Sequence, residues 1–441
     1  MRRLSEATLA DLPAWVRRPG LRPPPRVVHL GLGAFHRAHQ AVVFDDLGWG
    51  VAGASLRSAA VREAMAPQDG LYSLVVGEEV RVIGAVREML LDSDALVARI
   101  AAPETRLVTL TVTEKGYLPG SRAIAILAEA LARRHDGVTV ISCDNLPRNG
   151  AVLREAVLAA AGDAADRIAG RCAFPQTMVD RIVPATEEAD IDALATRMGL
   201  VDRAMVKAEP YFQWVVEDRF APGERPDFEA AGVQLATDIA PWEEAKLRLL
   251  NGAHSGIAYL GGLAGLGFVH DFAADPAGRR FVEALWDEAE TTLSPPPGLD
   301  LAAYRTALMA RFADPALRHR TRQIAMDGSQ KLPQRLLAPI AARLERGQGV
   351  ETLALAVAAW MRWQSGRTDD GEPFTVDDPL AAEAARRLAG QGEPAGQVRA
   401  LLGIAAIFPP ALAADPRFAE AVTRQLALLA ERGAAGALGL A

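Results

Sequence analysis

The segment RVVHLGLG, residues 26–33, constrains the fold of this chain more than any other. A short apolar run ending in glycines reads as a buried parallel strand followed by a tight turn. The residues after it keep one rhythm. HRAHQAVVFDDL reads as a helix, WGVAGASL as a strand, TRLVTLTV as a β-branched strand, SRAIAILAEALARR as a helix, GVTVISCDNL as a strand and NGAVLREAVLAAAG as a helix. LYSLVVGEEVRVIGAV alternates about Gly77-Glu78-Glu79 and reads as a β-hairpin. Strands alternating with helices signal a doubly wound α/β domain.

The second half lacks that rhythm. After Pro241 the apolar residues recur at helical spacing in KLRLLNGAHSGIAYL, GRRFVEALWDEAETTL, LAAYRTALMARF, RLLAPIAARLERG, TLALAVAAWMRW and FAEAVTRQLALLAERG. Pro241 followed by Glu243 and Glu244 makes a good helix start. The boundary is placed near residue 238. Residues 1–238 form the α/β domain and residues 239–441 an all-α domain. The GAAGALGLA tail is expected to be weakly ordered.

Composition narrows the function classes. The chain has 441 residues, 50% hydrophobic and 23% charged, as expected of a soluble globular enzyme with a large core. A net charge of −7 argues against a general nucleic-acid binder. Cys143 and Cys172 are the only cysteines, too few for a disulfide framework or a four-ligand zinc site. The N-terminus lacks the apolar core of a signal peptide, and no run is long enough to span a membrane. The expected location is cytoplasmic, without a membrane or nucleic-acid partner, as a monomer or small homo-oligomer.

The turn after the first strand is the candidate cofactor site. Gly31 and Gly33 let backbone amides approach a pyrophosphate, and the following helix start offers free N–H groups. Gly31, Gly33, Ala34, Phe35, His36 and Arg37 are the residues of that turn. The G-x-G-x-x-G fingerprint is incomplete, since His36 occupies its third glycine position. Arg37 and His39 are available for phosphate. At the end of the second strand the chain reads GASLRS, with Arg57 and Ser58 where an acidic residue would bind the ribose of NAD. Arg57 suits either the 2′-phosphate of NADP or stacking on adenine, so the residues leave that choice open.

The candidate chemistry lies in PWEEAKLRLLNGAHSGIAYL. Lys246, Asn251 and His254 are spaced five and three apart, within an arc of roughly 140° on an α-helix. An amine able to lose its proton, an amide donor and an imidazole together suit a hydroxyl becoming a carbonyl. For oxidation, Lys246 must be neutral part of the time, so its reference pKa of about 10.4 must fall through burial or nearby positive charge. The competing reading is a solvated face with a snorkelling lysine and a core histidine.

Seven ordered motifs carry a resemblance: GLGAFHRAHQA, TVTEKGY, SCDNLPRNG, FPQTMVDRIVP, KAEPYFQWVVEDRF, KLRLLNGAHS and DGSQKLPQR. Together they resemble the long-chain polyol and sugar-acid dehydrogenases, the mannitol dehydrogenase family, with motifs most like fructuronate reductase. The resemblance implies a Rossmann-type N-terminal domain, a helical C-terminal domain, NAD as cofactor with NADP not excluded, and hydride transfer without a metal. It implies Lys246 as general acid/base, Asn145 and Asn251 as amides facing the reacting oxygen, and His254 as a substrate-orienting group. Asp180 and Glu243 are read as shaping the entrance or relaying protons.

Substrate choice rests on HRTRQIAMDGSQKLPQR, which places Arg320, Arg322, Lys331 and Arg335 within sixteen residues. Arginine clamps a carboxylate bidentately. Arg322 and Lys331 are therefore read as substrate contacts, and D-mannonate/D-fructuronate as the expected pair. The alternatives are a neutral polyol dehydrogenase acting on mannitol, arabinitol or sorbitol, and a nicotinamide-binding sensor without turnover.

Overall fold

The computed structural model describes residues 1–56 and 58–440, and the chain divides into two compact units, Met1–Ala240 and Pro241–Ala441. In the first, five parallel strands, β1 (Pro25–Leu30), β2 (Gly50–Ala54), β3 (Val86–Leu90), β4 (Leu107–Leu110) and β5 (Thr139–Ser142), lie in the order β3-β2-β1-β4-β5. Successive residues of a strand turn to opposite faces. Val27 accordingly joins a core with Phe44, Trp49, Trp214 and Phe228, while Val28 joins another with Ile124, Leu127 and Leu131. Both faces are covered, which is why β1 reads as a continuous apolar run. Each such fully buried side chain stabilises the sheet by about 1.5–3 kcal/mol. The chain order reverses between β1 and β4, and the crevice of such a sheet opens beyond the carboxyl ends of those strands.

Around this sheet, Tyr72–Val76 and Glu79–Ile83 form the expected antiparallel hairpin, and Val206–Lys207 adds to it in parallel. A second small sheet joins Thr177–Asp180, Gln213–Glu217 and Gln234–Ala236. One local expectation is corrected. HRAHQAVVFDDL is not one helix but two, Ala34–Ala38 and Gln40–Asp46, broken at His39 with φ −125° and ψ −89°.

The second unit is all helical, as the apolar spacing implies. Its axis is Gly252–Leu263, every residue of which is buried. Small residues let large neighbours close on it: a Cβ at Gly262 would stand 2.6 Å from the Trp363 ring. Pro276–Glu290, Glu351–Trp363 and Pro416–Leu438 surround it. The tail is corrected too. The last helix runs to Leu438 across a break at Gly433, and the Asp369 carboxylate accepts the Ala434 N–H at 2.5 Å. Among the described residues no helix is long and apolar enough to cross a membrane.

Candidate active site

β1 ends at Leu30, and the chain turns at once. Gly31 adopts φ +100°, and a Cβ there would stand 2.0 Å from the Thr111 carbonyl oxygen. Only glycine meets both demands. The Gly33 N–H closes the turn on the Gly31 carbonyl at 2.6 Å, and Gly33 caps the helix Ala34–Ala38. The first amides of that helix have no partner within it. A cavity of about 380 Å³ lies against this turn, lined in part by Gly31, Gly33, Ser55, Thr111, Lys115 and Arg122. A second, of about 300 Å³, lies beyond the end of β2 beside Ser55, Ser58, Arg62 and Arg122. A glycine turn, helix amides without a partner in their own helix, one cavity at the switch point and a second beyond β2 fit a dinucleotide.

The side chains after the turn do not play the parts expected of them. Arg37 is buried; its guanidinium donates to the Ala204 carbonyl, and to that of Gly33 at 3.3 Å. It ties the turn to the protein interior and is not available for phosphate. His39 is fully buried, with Nε2 3.0 Å from the Gln213 carbonyl and its ring between Phe35 and Phe212. The His36 ring turns inward and stacks on His29. In this turn a buried imidazole stands where the fingerprint has glycine, so His36 offers its backbone alone. Arg57 lies outside the described residues.

Asp144, just past β5, organises the neighbouring loop. Its carboxylate accepts the Val112 N–H at 2.9 Å, the Thr113 N–H at 2.8 Å and the Tyr117 hydroxyl at 2.6 Å. Thr113 is held at φ +66°, a conformation L residues seldom adopt. This latch fixes the loop that carries Lys115 to the cavity. Thr111 and Lys115 lie in TVTEKGY, and the place of that motif after a strand at the switch point is the sequence signal for them. Asn145 follows Asp144 and is exposed, while Asp180 is buried at the end of Thr177–Asp180.

In the second unit, Lys246 and Asn251 open and close a single π-helical segment, Lys246–Asn251, directly continuous with Gly252–Leu263. The Gly252 N–H bonds back to the Leu247 carbonyl, five residues earlier. The α-helical spacing assumed from sequence is thus corrected: the wider i→i+5 turn brings residues five apart closer to one face than an α-helix does. Lys246 and Asn251 are 9% and 8% exposed, which rules out a snorkelling lysine. The Asn251 Nδ2 is buried without an acceptor, and so is the His254 Nε2 without a partner. Such groups cost stability unless something else satisfies them.

The surroundings of His254 are basic and aromatic. Its ring lies 4.7 Å from that of Phe312 and 5.1 Å from that of His319, edge to face. Burial pushes His254 well below the ordinary histidine range, helped by the charges of His319, Arg311 and Arg335. Burial also lowers His319 to about 4, with Arg311 and Lys331 adding to it.

The four cations of HRTRQIAMDGSQKLPQR are dispersed by the fold. Arg320 sits over Phe268 and Arg322 over Phe374. The Lys331 Nζ donates to the Met326 carbonyl, and to that of Ile324 at 3.2 Å. Arg335 reaches the Lys246–Asn251 turn. His319 and Arg311 were missed; the first stands within the basic segment and the second before it. Glu243 takes its place in the first turn of Ala240–Ala245. Among the described residues no group of three or more His, Cys, Asp or Glu is placed to hold a metal ion.

Residues 25–230 match the Mannitol dehydrogenase Rossmann domain, and residues 238–430 the Mannitol dehydrogenase C-terminal domain. D-mannonate oxidoreductase of Escherichia coli (strain K12) is 41% identical over 458 residues, covering 93% of this chain and 94% of its own. Mannitol 2-dehydrogenase of Pyrenophora tritici-repentis (strain Pt-1C-BFP) is 36% identical over 460 residues, covering 92% and 80%. The solved Pseudomonas fluorescens mannitol 2-dehydrogenase, a ternary complex with NAD and D-mannitol, aligns with a TM-score of 0.88 at 35% identity over 99% of both chains.

Proposed function

The chain belongs to the mannitol dehydrogenase family of oxidoreductases, and on that premise we propose that it interconverts D-mannonate and D-fructuronate with NAD, without a metal. One observation carries the acid substrate. His254 and His319, each with a buried unpartnered ring nitrogen, stand among the charges of Arg311, Arg335 and Lys331. Groups of this kind favour an anion. The 41% identity to a D-mannonate oxidoreductase supports the same reading. Residues 1–238 are assigned to cofactor binding and residues 239–441 to substrate binding and catalysis.

NAD, when bound, supplies the hydride acceptor. Gly31, Gly33 and the amides of Ala34, Phe35 and His36 would hold its pyrophosphate, with Ser55, Thr111, Lys115 and Arg122 lining the adjoining cavity. In the oxidation direction the Lys246 amine takes the substrate hydroxyl proton, and in reduction its ammonium returns it. The Asn251 Nδ2 donates to the oxygen as charge develops there, and one such donor is typically worth roughly 3–4 kcal/mol of barrier. His254 orients the substrate. The roles of Asn145 as second amide donor and of Asp180 at the entrance rest on the family resemblance.

A neutral polyol is the second reading. Arg322 rests on Phe374 and Lys331 on backbone carbonyls, so both are engaged within the chain. The test is steady-state turnover of mannonate, fructuronate, mannitol and fructose with NAD(H) and NADP(H). Equal or better kcat/KM on mannitol overturns the acid reading, and binding of cofactor without any turnover leaves the sensor. NADP belongs in the panel because Arg62 and Arg122 flank the cavity beyond β2.

A further inference from the structure

A π turn is rare, and it persists only where its surroundings hold it. The second unit has two that touch: Lys246–Asn251 and Pro333–Leu337. Arg335 joins them. Its Nη1 donates to the Asn251 carbonyl at 3.5 Å and to the Ser255 hydroxyl at 3.3 Å. Its own carbonyl oxygen lies 3.1 Å from where a Gly252 Cβ would stand, so the residue after Asn251 must be small. Among the described residues no carboxylate pairs with Arg335, and burial lowers its pKa to about 10. A half-buried cation without a carboxylate partner is costly to a fold. Its placement against the turn that carries Lys246 and Asn251 gives that cost a purpose.

We propose that Arg335 is a positioning residue for the reaction: by gripping the Asn251 carbonyl and Ser255 it holds the π turn at the width that presents the Lys246 amine and the Asn251 amide together. Burial keeps the His254 imidazole neutral, and the charges of His319, Arg311 and Arg335 act in the same direction. The proposal rests on the roles assigned above to Lys246 and Asn251.

The test compares Arg335→Met, Arg335→Lys and Lys246→Ala in the full chain. Four quantities are read: kcat and KM, NADH affinity by fluorescence, thermal midpoint, and the His254 titration by NMR of 15N-histidine-labelled protein. Arg335→Met should lower kcat about 100-fold, with KM and NADH affinity within about threefold, and move the His254 titration upward. Arg335→Lys keeps the charge but not the length and planarity that bring one nitrogen, Nη1, to both the Asn251 carbonyl and the Ser255 hydroxyl; it should leave the His254 titration in place and still lower kcat about tenfold. Loss of less than threefold in kcat for Arg335→Met, or full activity in Arg335→Lys, overturns the positioning role. An unmoved His254 titration in Arg335→Met overturns the electrostatic one. If Arg335→Met does not fold, the kcat of Arg335→Lys decides the positioning role and Arg335→Gln replaces Met in the titration. Retained activity in Lys246→Ala would sink the assignment of the base instead, a result separable from the His254 shift.

Discussion

His29 and His36 stack face to face beneath the glycine turn, with ring centroids 3.3 Å apart and planes 14° from parallel. His29 also lies across β1 and β4, with Nδ1 2.7 Å from the Thr109 hydroxyl and Nε2 2.9 Å from that of Thr111. Burial pushes His29 down to about 3, and His36, buried against it, well below the ordinary range. Unfolded, each titrates near 6.5. Above that pH neither state binds the proton and nothing is lost. As pH falls from about 6.5 towards 3, the unfolded chain takes up protons that the folded chain refuses, and stability drops by about 1.4 kcal/mol per pH unit for each such histidine. Urea midpoints at pH 7, 6 and 5 should fall steadily, and His29→Gln should flatten that slope. An unchanged slope in His29→Gln would contradict this account.

Gly31 and Gly33 should respond differently to alanine. At Gly31 the positive φ costs about 1–3 kcal/mol, and the overlap with the Thr111 carbonyl adds to it, so Gly31→Ala should lower the thermal midpoint and abolish NADH binding together. Gly33 has φ −93°, and its Cβ would meet nothing closer than 3.7 Å. Gly33→Ala should fold as wild type and weaken NADH binding by about tenfold or more. Calorimetry with a fluorescence titration separates the two; equal thermal losses would argue against this geometry.

Asn251 places function and stability in opposition. Its Nδ2 is buried without an acceptor, so Asn251→Ala removes an unsatisfied donor. Activity should fall about 10²–10³-fold while the thermal midpoint changes by no more than a few degrees. Lys246→Ala should lose about 10²–10⁴-fold in kcat with NADH affinity preserved. Near-normal turnover of either variant would remove that residue from the mechanism.

Asp144 should behave as a structural latch with a binding phenotype. Asp144→Ala removes the carboxylate that accepts from the Val112 and Thr113 amides and the Tyr117 hydroxyl, leaving Tyr117 its bond to the Ser142 hydroxyl, and should cost about 1–3 kcal/mol. The loop that carries Lys115 to the cavity then loses its anchor, so NADH affinity should weaken along with stability. Asp144→Asn, which retains one accepting oxygen, should fall between. Wild-type NADH affinity in Asp144→Ala would separate the loop from cofactor binding.

Much of this fold was legible because its signals are local. RVVHLGLG, TRLVTLTV and GVTVISCDNL read as buried strands since each carries its own apolar run, and Gly31 marks a turn that few other residues can make. The helices of the second unit announced themselves by spacing alone. Lys246, Asn251 and His254 stood out as polar groups of useful chemistry in an apolar stretch.

Other features were decided by neighbours distant in sequence. Whether Arg37 meets solvent or the Ala204 carbonyl depends on a chain 167 residues away. Arg320, Arg322, Lys331 and Arg335 look like one cluster in sequence, yet Phe268, Phe374, two carbonyls and the Asn251 turn draw them apart. An α turn and a π turn differ by one residue in hydrogen-bond register, a difference smaller than tertiary packing can impose. The amino-acid order therefore determined the parallel sheet, its glycine turn and the candidates for the reacting groups, because those depend on each residue's own shape, hydrophobicity and chemistry. Tertiary structure alone decided the width of the turn that presents Lys246 and Asn251, and which cations keep their charge near His254, because burial and register are set by what the rest of the chain brings alongside.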